Sequence, residues 1–288
     1  MKRIYIYIFV LPVVAIIGCN SNVVDPTPVD LYLRDTYASW SPDGKTIAFS
    51  GFDNTFGYGI YLIDTNGANK RPFAIGNGLT PDWSPDSQWI VYEEGSNIFR
   101  KKLNSDSVVQ LTSNGGNFFP KWSPDGQWIA FDRSINPSGI LIMKNDGTER
   151  HRIGGGAFPN WHPNNQIIIA SIGVSSTSTY IRFVKLIVDP PSNTADSLNA
   201  VIGNENFFAS YSPDGSKILF NSGASQNVFK VWVMNFDNSN LIEITNGTSY
   251  YPDWSPDGEK VVYTNAEQGN GRLWIMNKDG SNKRQLTY

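Results

Sequence analysis

The chain has 288 residues, 40% hydrophobic and 17% charged, which supplies a packed core and excludes global disorder. Its 23 Lys and Arg against 26 Asp and Glu give a net charge of −3, which excludes a general nucleic-acid or polybasic membrane binder. Two histidines and one cysteine leave little room for a His-rich metal site or a disulfide scaffold, whereas 26 glycines, 17 prolines and 13% aromatics read as short strands joined by turns.

In chain order, Lys2 and Arg3 give a charged start, and residues 4–17 form an almost unbroken apolar run too short to span a bilayer comfortably. Ile16-Ile17-Gly18-Cys19 ends this run on small residues, the plan of an export signal. The segment resembles the bacterial lipoprotein signal, whose lipobox ends in Gly-Cys. The resemblance implies removal of residues 1–18, acylation of Cys19 and attachment to a lipid bilayer, since several acyl chains anchor stably where one does not. Residues 19–30 are polar, contain proline and lack any period, so they read as a lipidated tether.

From residue 31 the chain repeats itself. Trp40-Ser41-Pro42-Asp43-Gly44 recurs as Trp83-Ser84-Pro85-Asp86-Ser87, Trp122-Ser123-Pro124-Asp125-Gly126, Trp161-His162-Pro163-Asn164-Asn165, Tyr211-Ser212-Pro213-Asp214-Gly215 and Trp254-Ser255-Pro256-Asp257-Gly258. The spacings are 43, 39, 39, 50 and 43 residues. Pro presets φ for the first corner of a turn, Asp bonds its own backbone, and Gly accepts positive φ, so each pentapeptide is a hairpin turn. Asn165 tolerates the left-handed region, and Ser87 does so less easily, which predicts strain in the second turn. Copy 4 is degenerate in its turn and carries an insertion around Asp189-Pro190-Pro191-Ser192-Asn193.

An apolar run follows every turn, such as Ile47-Ala48-Phe49 or Ile129-Ala130-Phe131, and runs without alternation are strands covered on both faces. A third strand follows, such as Ile140-Leu141-Ile142-Met143 or Val231-Trp232-Val233-Met234, and then a fourth, such as Val108-Val109-Gln110-Leu111-Thr112 or residues 283–287. No convincing helical period appears. Four antiparallel strands in a unit of this length are a propeller blade, and blades bury their faces only by stacking. The motifs resemble the WSPDG-type, WD-like repeats of TolB-like six-bladed β-propellers. The resemblance covers residues 31–288 and implies an all-β, six-bladed β-propeller with four antiparallel strands per blade. Leu31-Tyr32-Leu33 and residues 283–287 compete for the strand that closes the ring.

Strand parity divides the faces. The Ser-Pro-Asp-Gly turns share one end of the meander. The connections between second and third strands, starting at Ser50, Glu93, Asp132, Ser171, Asn221 and Thr264, share the other and read as variable loops. Aromatic residues enter the first strands on that loop-rich side: Tyr37, Phe118, Phe119, Phe158, Phe207, Phe208, Tyr250 and Tyr251. Beside each motif aromatic stands a polar residue, Ser39, Asp82, Lys121, Asn160, Ser210 or Asp253. These aromatics, with Asp82, Lys121 and Asp253, form a candidate binding face, an aromatic funnel for a peptide or a sugar. The competing reading packs the same aromatics between blades as core.

No nucleophile elbow, P-loop, dinucleotide motif, Cys-x-x-Cys or His-Glu-x-x-His occurs. Pectin-fragment lyases among TolB-like propellers build a metal site from histidines, and two histidines cannot supply it. No catalytic residue, metal or cofactor is therefore expected. The expected function is a non-enzymatic scaffold in the bacterial cell envelope that binds an envelope protein or peptide segment, with no role for nucleic acid. A carbohydrate-binding or carbohydrate-active propeller is the alternative, in which Asp82 and Asp253 could act as a carboxylate pair on a glycan.

Overall fold

The computed structural model describes residues 34–175, 178–187, 192–198, 205–223, 228–267 and 269–288. Cys19, the tether and Leu31-Tyr32-Leu33 lie outside them. Six four-stranded antiparallel sheets follow one another along the chain, each a simple meander. Their first strands are Thr36–Trp40, Leu79–Trp83, Asn117–Trp122, Ala157–Trp161, Glu205–Tyr211 and Ser249–Trp254. Each first strand lies against the first strands of both neighbouring sheets, and the last meets the first, so the sheets are blades of a closed ring. No α-helix occurs among the described residues.

The pentapeptide turns behave alike. Gly44, Gly126, Gly215 and Gly258 adopt φ of +71° to +73°, and Ser87 and Asn165 hold the same place at +57° and +62°. The serine hydroxyl donates to the Asp carboxylate at 2.6 Å in five turns. That carboxylate also accepts a backbone N–H two residues on, and in turns 1 to 3, 5 and 6 the serine oxygen accepts the N–H that starts the second strand. In copy 4 the ring nitrogen Nδ1 of His162 replaces the serine and accepts the Asn164 N–H at 3.2 Å.

The core lies in the gaps between blades. Every motif aromatic packs against the preceding blade: Trp40 against Leu273 and Ile275, Trp83 against Ile60 and Leu62, Trp122 against Val91 and Ile98. Trp161, Tyr211 and Trp254 repeat the pattern in the other gaps. The second strands serve two gaps at once. Ile47 and Phe49 face one and Ala48 the other, which is why their sequence lacks polar alternation.

Among the described residues, ring closure uses no exchanged strand. The sixth blade takes Arg284–Gln285 as its own outer strand, and the first blade is complete with Arg71–Ile75. Asp35 joins them instead. Its side chain is fully buried, and Oδ2 accepts from the Thr287 hydroxyl at 2.7 Å and from Arg272 Nη1 at 3.2 Å. Its N–H donates to the Gly271 carbonyl, and its carbonyl accepts from the Thr264 hydroxyl.

The connections read as long variable loops are shorter than their sequence suggests. Second strands run on to Asp53 in blade 1, Glu94 in blade 2 and Gly223 in blade 5. In blade 2 only Gly95 and Ser96, both at positive φ, separate the two strands. Ser50, Glu93, Asp132, Ser171, Asn221 and Thr264 are buried where the second strands continue outward.

Candidate functional site

The first strands carry an irregularity at one repeated position. Tyr37, Thr80, Phe119, Phe158, Phe208 and Tyr251, each three residues before the motif aromatic, have φ between +51° and +57°, and strand register shifts beside each of them. Positive φ is uncommon for bulky side chains, and a bulge of this kind re-aims the side chain. Five of these six residues are aromatic, and their rings meet across the axis. Tyr37 lies 4.0 Å from Tyr251, Phe158 lies 4.4 Å from Phe208 and 4.6 Å from Phe119, and Phe208 lies 4.7 Å from Tyr251, centroid to centroid. Tyr37 also reaches Phe119 and Phe208, on blades that are not its neighbours. The aromatics thus form a plug that closes the channel, rather than the walls of an open funnel or packing confined to the gaps. Phe207 is buried beside them and contacts Phe158 and Phe229, and Tyr250 contacts Phe229. Phe118 is half-buried on the same loop-rich side.

Three of the bulges present a backbone N–H that the neighbouring blade satisfies. Ser50 Oγ accepts from Thr80 N–H at 3.0 Å, Asp132 Oδ2 from Phe158 N–H at 3.2 Å and Asn221 Oδ1 from Tyr251 N–H at 2.8 Å. These bonds cross alternate gaps. The other gaps are crossed one turn nearer the Ser-Pro-Asp-Gly side. Asp82 Oδ2 accepts from Trp122 N–H at 2.8 Å, Asn160 Oδ1 from Tyr211 N–H at 3.3 Å and Asp253 Oδ2 from Trp40 N–H at 3.2 Å. Copy-to-copy comparison carries the signal for the first set, since a polar residue stands ten positions after the motif aromatic in all six copies. It was missed because those positions were read as the starts of loops.

Two rings of polar residues therefore flank the plug. On the loop side, Glu93 and Asp132 stand on adjacent blades, 7% and 6% exposed, and burial pushes each up to about 7, with Glu93 adding to the effect on Asp132. On the turn side, Lys121 Nζ bonds Asp82 Oδ1 at 2.9 Å. Burial pushes Asp253 up to about 6, with Lys121 opposing the shift and Asp82 reinforcing it. Burial works against the Lys121 charge, but the Asp82 and Asp253 carboxylates outweigh it and raise its pKa.

A cavity of about 60 Å³ lies between the plug and the turn-side ring, lined by Tyr37, Thr80, Phe208, Tyr251, Lys121 and Asp253 among others. Of the candidate face, the structure brings Tyr37, Phe119, Phe158, Phe208, Tyr251, Lys121 and Asp253 to this cup. It sets Phe118, Phe207 and Tyr250 on the other side of the plug, and Asp82 holds Lys121 from the ring without lining the cavity. Lys121 and Asp253 thus lie across the plug from the loop-rich face to which they were first assigned. His151 packs edge-on to Trp128, and His162 packs on Tyr211 and Phe236. Among the described residues, no three His, Cys, Asp or Glu side chains are grouped to hold a metal ion.

Comparison with known proteins places this architecture. Residues 55–120 match the family described as the dipeptidyl peptidase IV (DPP IV) N-terminal region. The Tol-Pal system protein TolB of Alcanivorax borkumensis is 30% identical over 80 residues, which are 27% of this chain and 16% of that protein. A probable dipeptidyl-aminopeptidase B of Talaromyces marneffei is 33% identical over 89 residues, 27% of this chain and 10% of that protein. The matched segments thus span about a tenth to a sixth of these curated relatives' own lengths. Among solved structures, TolB from Acinetobacter baumannii superposes with a TM-score of 0.71 at 23% identity, covering 88% of this chain and 63% of that one. An oligogalacturonate lyase in complex with manganese gives a TM-score of 0.57 at 14% identity, covering 86% of this chain and 91% of that one. The fold is an all-β propeller of four-stranded antiparallel blades. More particularly, it is a TolB-like β-propeller.

Proposed function

We propose that this chain is a non-enzymatic scaffold of the bacterial cell envelope that binds a protein or peptide segment. Residues 1–18 are its cleaved lipoprotein signal, residues 19–30 its tether, acylated at Cys19, and residues 31–288 its propeller. One observation carries the reading: the aromatic rings meet across the ring's axis, so the molecule offers a rigid face with a small cup. The likeness to TolB, named for the Tol-Pal system, supports an envelope setting and a protein partner.

The glycan alternative draws on the aromatics and on the likeness to an oligogalacturonate lyase. The cup argues against it. A cavity of about 150 Å³ holds benzene, and a water takes about 30 Å³ of liquid volume. The cup here, at about 60 Å³, is smaller than such a cavity. Asp82 and Asp253 also spend one oxygen each on a neighbouring blade's N–H, a positioning duty and not that of an acid–base pair.

The test is co-purification from envelope extract with non-acylated residues 20–288 as bait. Capture of one protein at defined stoichiometry is the expected result. Retention on a polysaccharide column with release of reducing ends would overturn the reading. For the anchor, Cys19→Ala should move the protein from the membrane fraction to the soluble or uncleaved pool, and normal processing with persistent membrane attachment would contradict it.

A further inference from the structure

The turn-side cup is polar in an unbalanced way. Its ring holds two carboxylates, Asp82 and Asp253, and one cation, Lys121, already paired with Asp82 at 2.9 Å. Asp253 Oδ2 takes the Trp40 N–H, and Asp253 lines the cavity. Two residues that line the same cavity, Thr80 and Ser210, carry buried hydroxyls, Oγ1 and Oγ, that have no partner among the described residues. Thr80 and Ser210 are 7% and 5% exposed. Buried hydroxyls are ordinarily satisfied, so two orphans on residues that line one cavity point to a group that arrives from outside. The floor is the aromatic plug, whose π-faces attract cations.

We propose that this cup receives one primary ammonium group from a partner polypeptide, with Asp253 as its counter-charge and the Ser210 and Thr80 hydroxyls as neutral acceptors. An ammonium has three donors and no acceptor, which matches a carboxylate and two hydroxyls able to accept. Its size fits the cup of about 60 Å³. A carboxylate guest would meet a site whose single cation is already neutralised. The inference rests on the scaffold reading only for the source of the ammonium, a lysine side chain or a chain terminus.

The experiment is amide-detected NMR of the protein in solution, titrated with three probes. N-acetyl-lysinamide presents a side-chain ammonium, glycinamide presents a terminal one, and N-acetyl-glutamic amide is the anionic control. The Trp40 N–H reports on Asp253, and the Trp122 N–H on Asp82. One ammonium probe should shift Trp40 saturably, and which one does so identifies the source. Asp253→Asn keeps an oxygen for Trp40 but removes the charge, and should weaken binding about tenfold or more. Lys121→Met removes the competing cation and should tighten it. Binding of the glutamic probe, absence of saturable shifts with both ammonium probes, or an unchanged affinity in Asp253→Asn would overturn the proposal. A protein partner captured in the absence of ammonium binding would leave the scaffold reading standing and this inference refuted. Ammonium binding with no protein captured would do the reverse.

Discussion

Glu93 and Asp132 set the sharpest expectation for single residues. A carboxyl group whose folded pKa exceeds its unfolded value holds its proton more tightly when folded. Its contribution to stability is therefore full below the unfolded pKa and is lost as pH rises through the folded one. For Glu93 the window runs from 4.5 to about 7, and Asp132 and Asp253 act in the same sense. The turn carboxylates act oppositely. The Ser212 hydroxyl, with the Ser216 groups, holds Asp214 down to about 2, so stability from such groups persists until strongly acid pH. The melting temperature should therefore fall between pH 5 and 8. Glu93→Gln should flatten that slope, recovering on the order of 3 kcal/mol at pH 8. A melting temperature that rises across this range would contradict the placement of these carboxyls. None of this is legible in one copy of the repeat, because Glu93 looks like the start of a loop. The positive φ of Tyr37 or Phe158 leaves no sequence signal either, since neither residue is a Gly or Asn.

At the scale of turn and strand, the sequence was more informative. The pentapeptide disclosed the hairpin, its register and the period, because the turn's chemistry is local and repeated. Ser87 is the useful exception, holding at +57° what glycine holds in four other copies. Ser87→Gly should raise stability by about 0.5–1 kcal/mol, relief of left-handed strain less the extra freedom of the unfolded chain. Chemical denaturation measures it, and a loss of stability would refute the strain. The cross-blade acceptors were legible only as repeated polar positions, since Ser50, Asp82, Asp132, Asn160, Asn221 and Asp253 acquire their partners only once adjacent blades are in register. In the structure they latch successive gaps alternately on the loop side and the turn side.

The whole molecule depends on closure. Asp35 binds residues more than 200 positions away, Arg272 and Thr287, and seals the ring by a buried carboxylate in place of a shared strand. Removing one partner of a buried ionic pair costs about 3–5 kcal/mol, so Asp35→Ala should destabilise the entire ring in a single transition, followed by thermal unfolding. A local loss, with the main transition unmoved, would show that closure rests elsewhere. Residues at opposite ends of the chain offer no spacing to read, which is why the closing strand stayed open between two segments at the level of sequence. The central claim is that the aromatic cluster is a structural plug and that binding occurs on the face beneath it. Phe207, 7% exposed, outside the cup and in contact with Phe158, Phe208 and Phe229, tests this most directly. Phe207→Ala, with thermal unfolding and capture of the envelope partner measured on the same preparation, should lose about 3–5 kcal/mol of stability and keep its binding per folded molecule. An unchanged melting temperature with binding abolished would make the aromatics a ligand wall and contradict the plug.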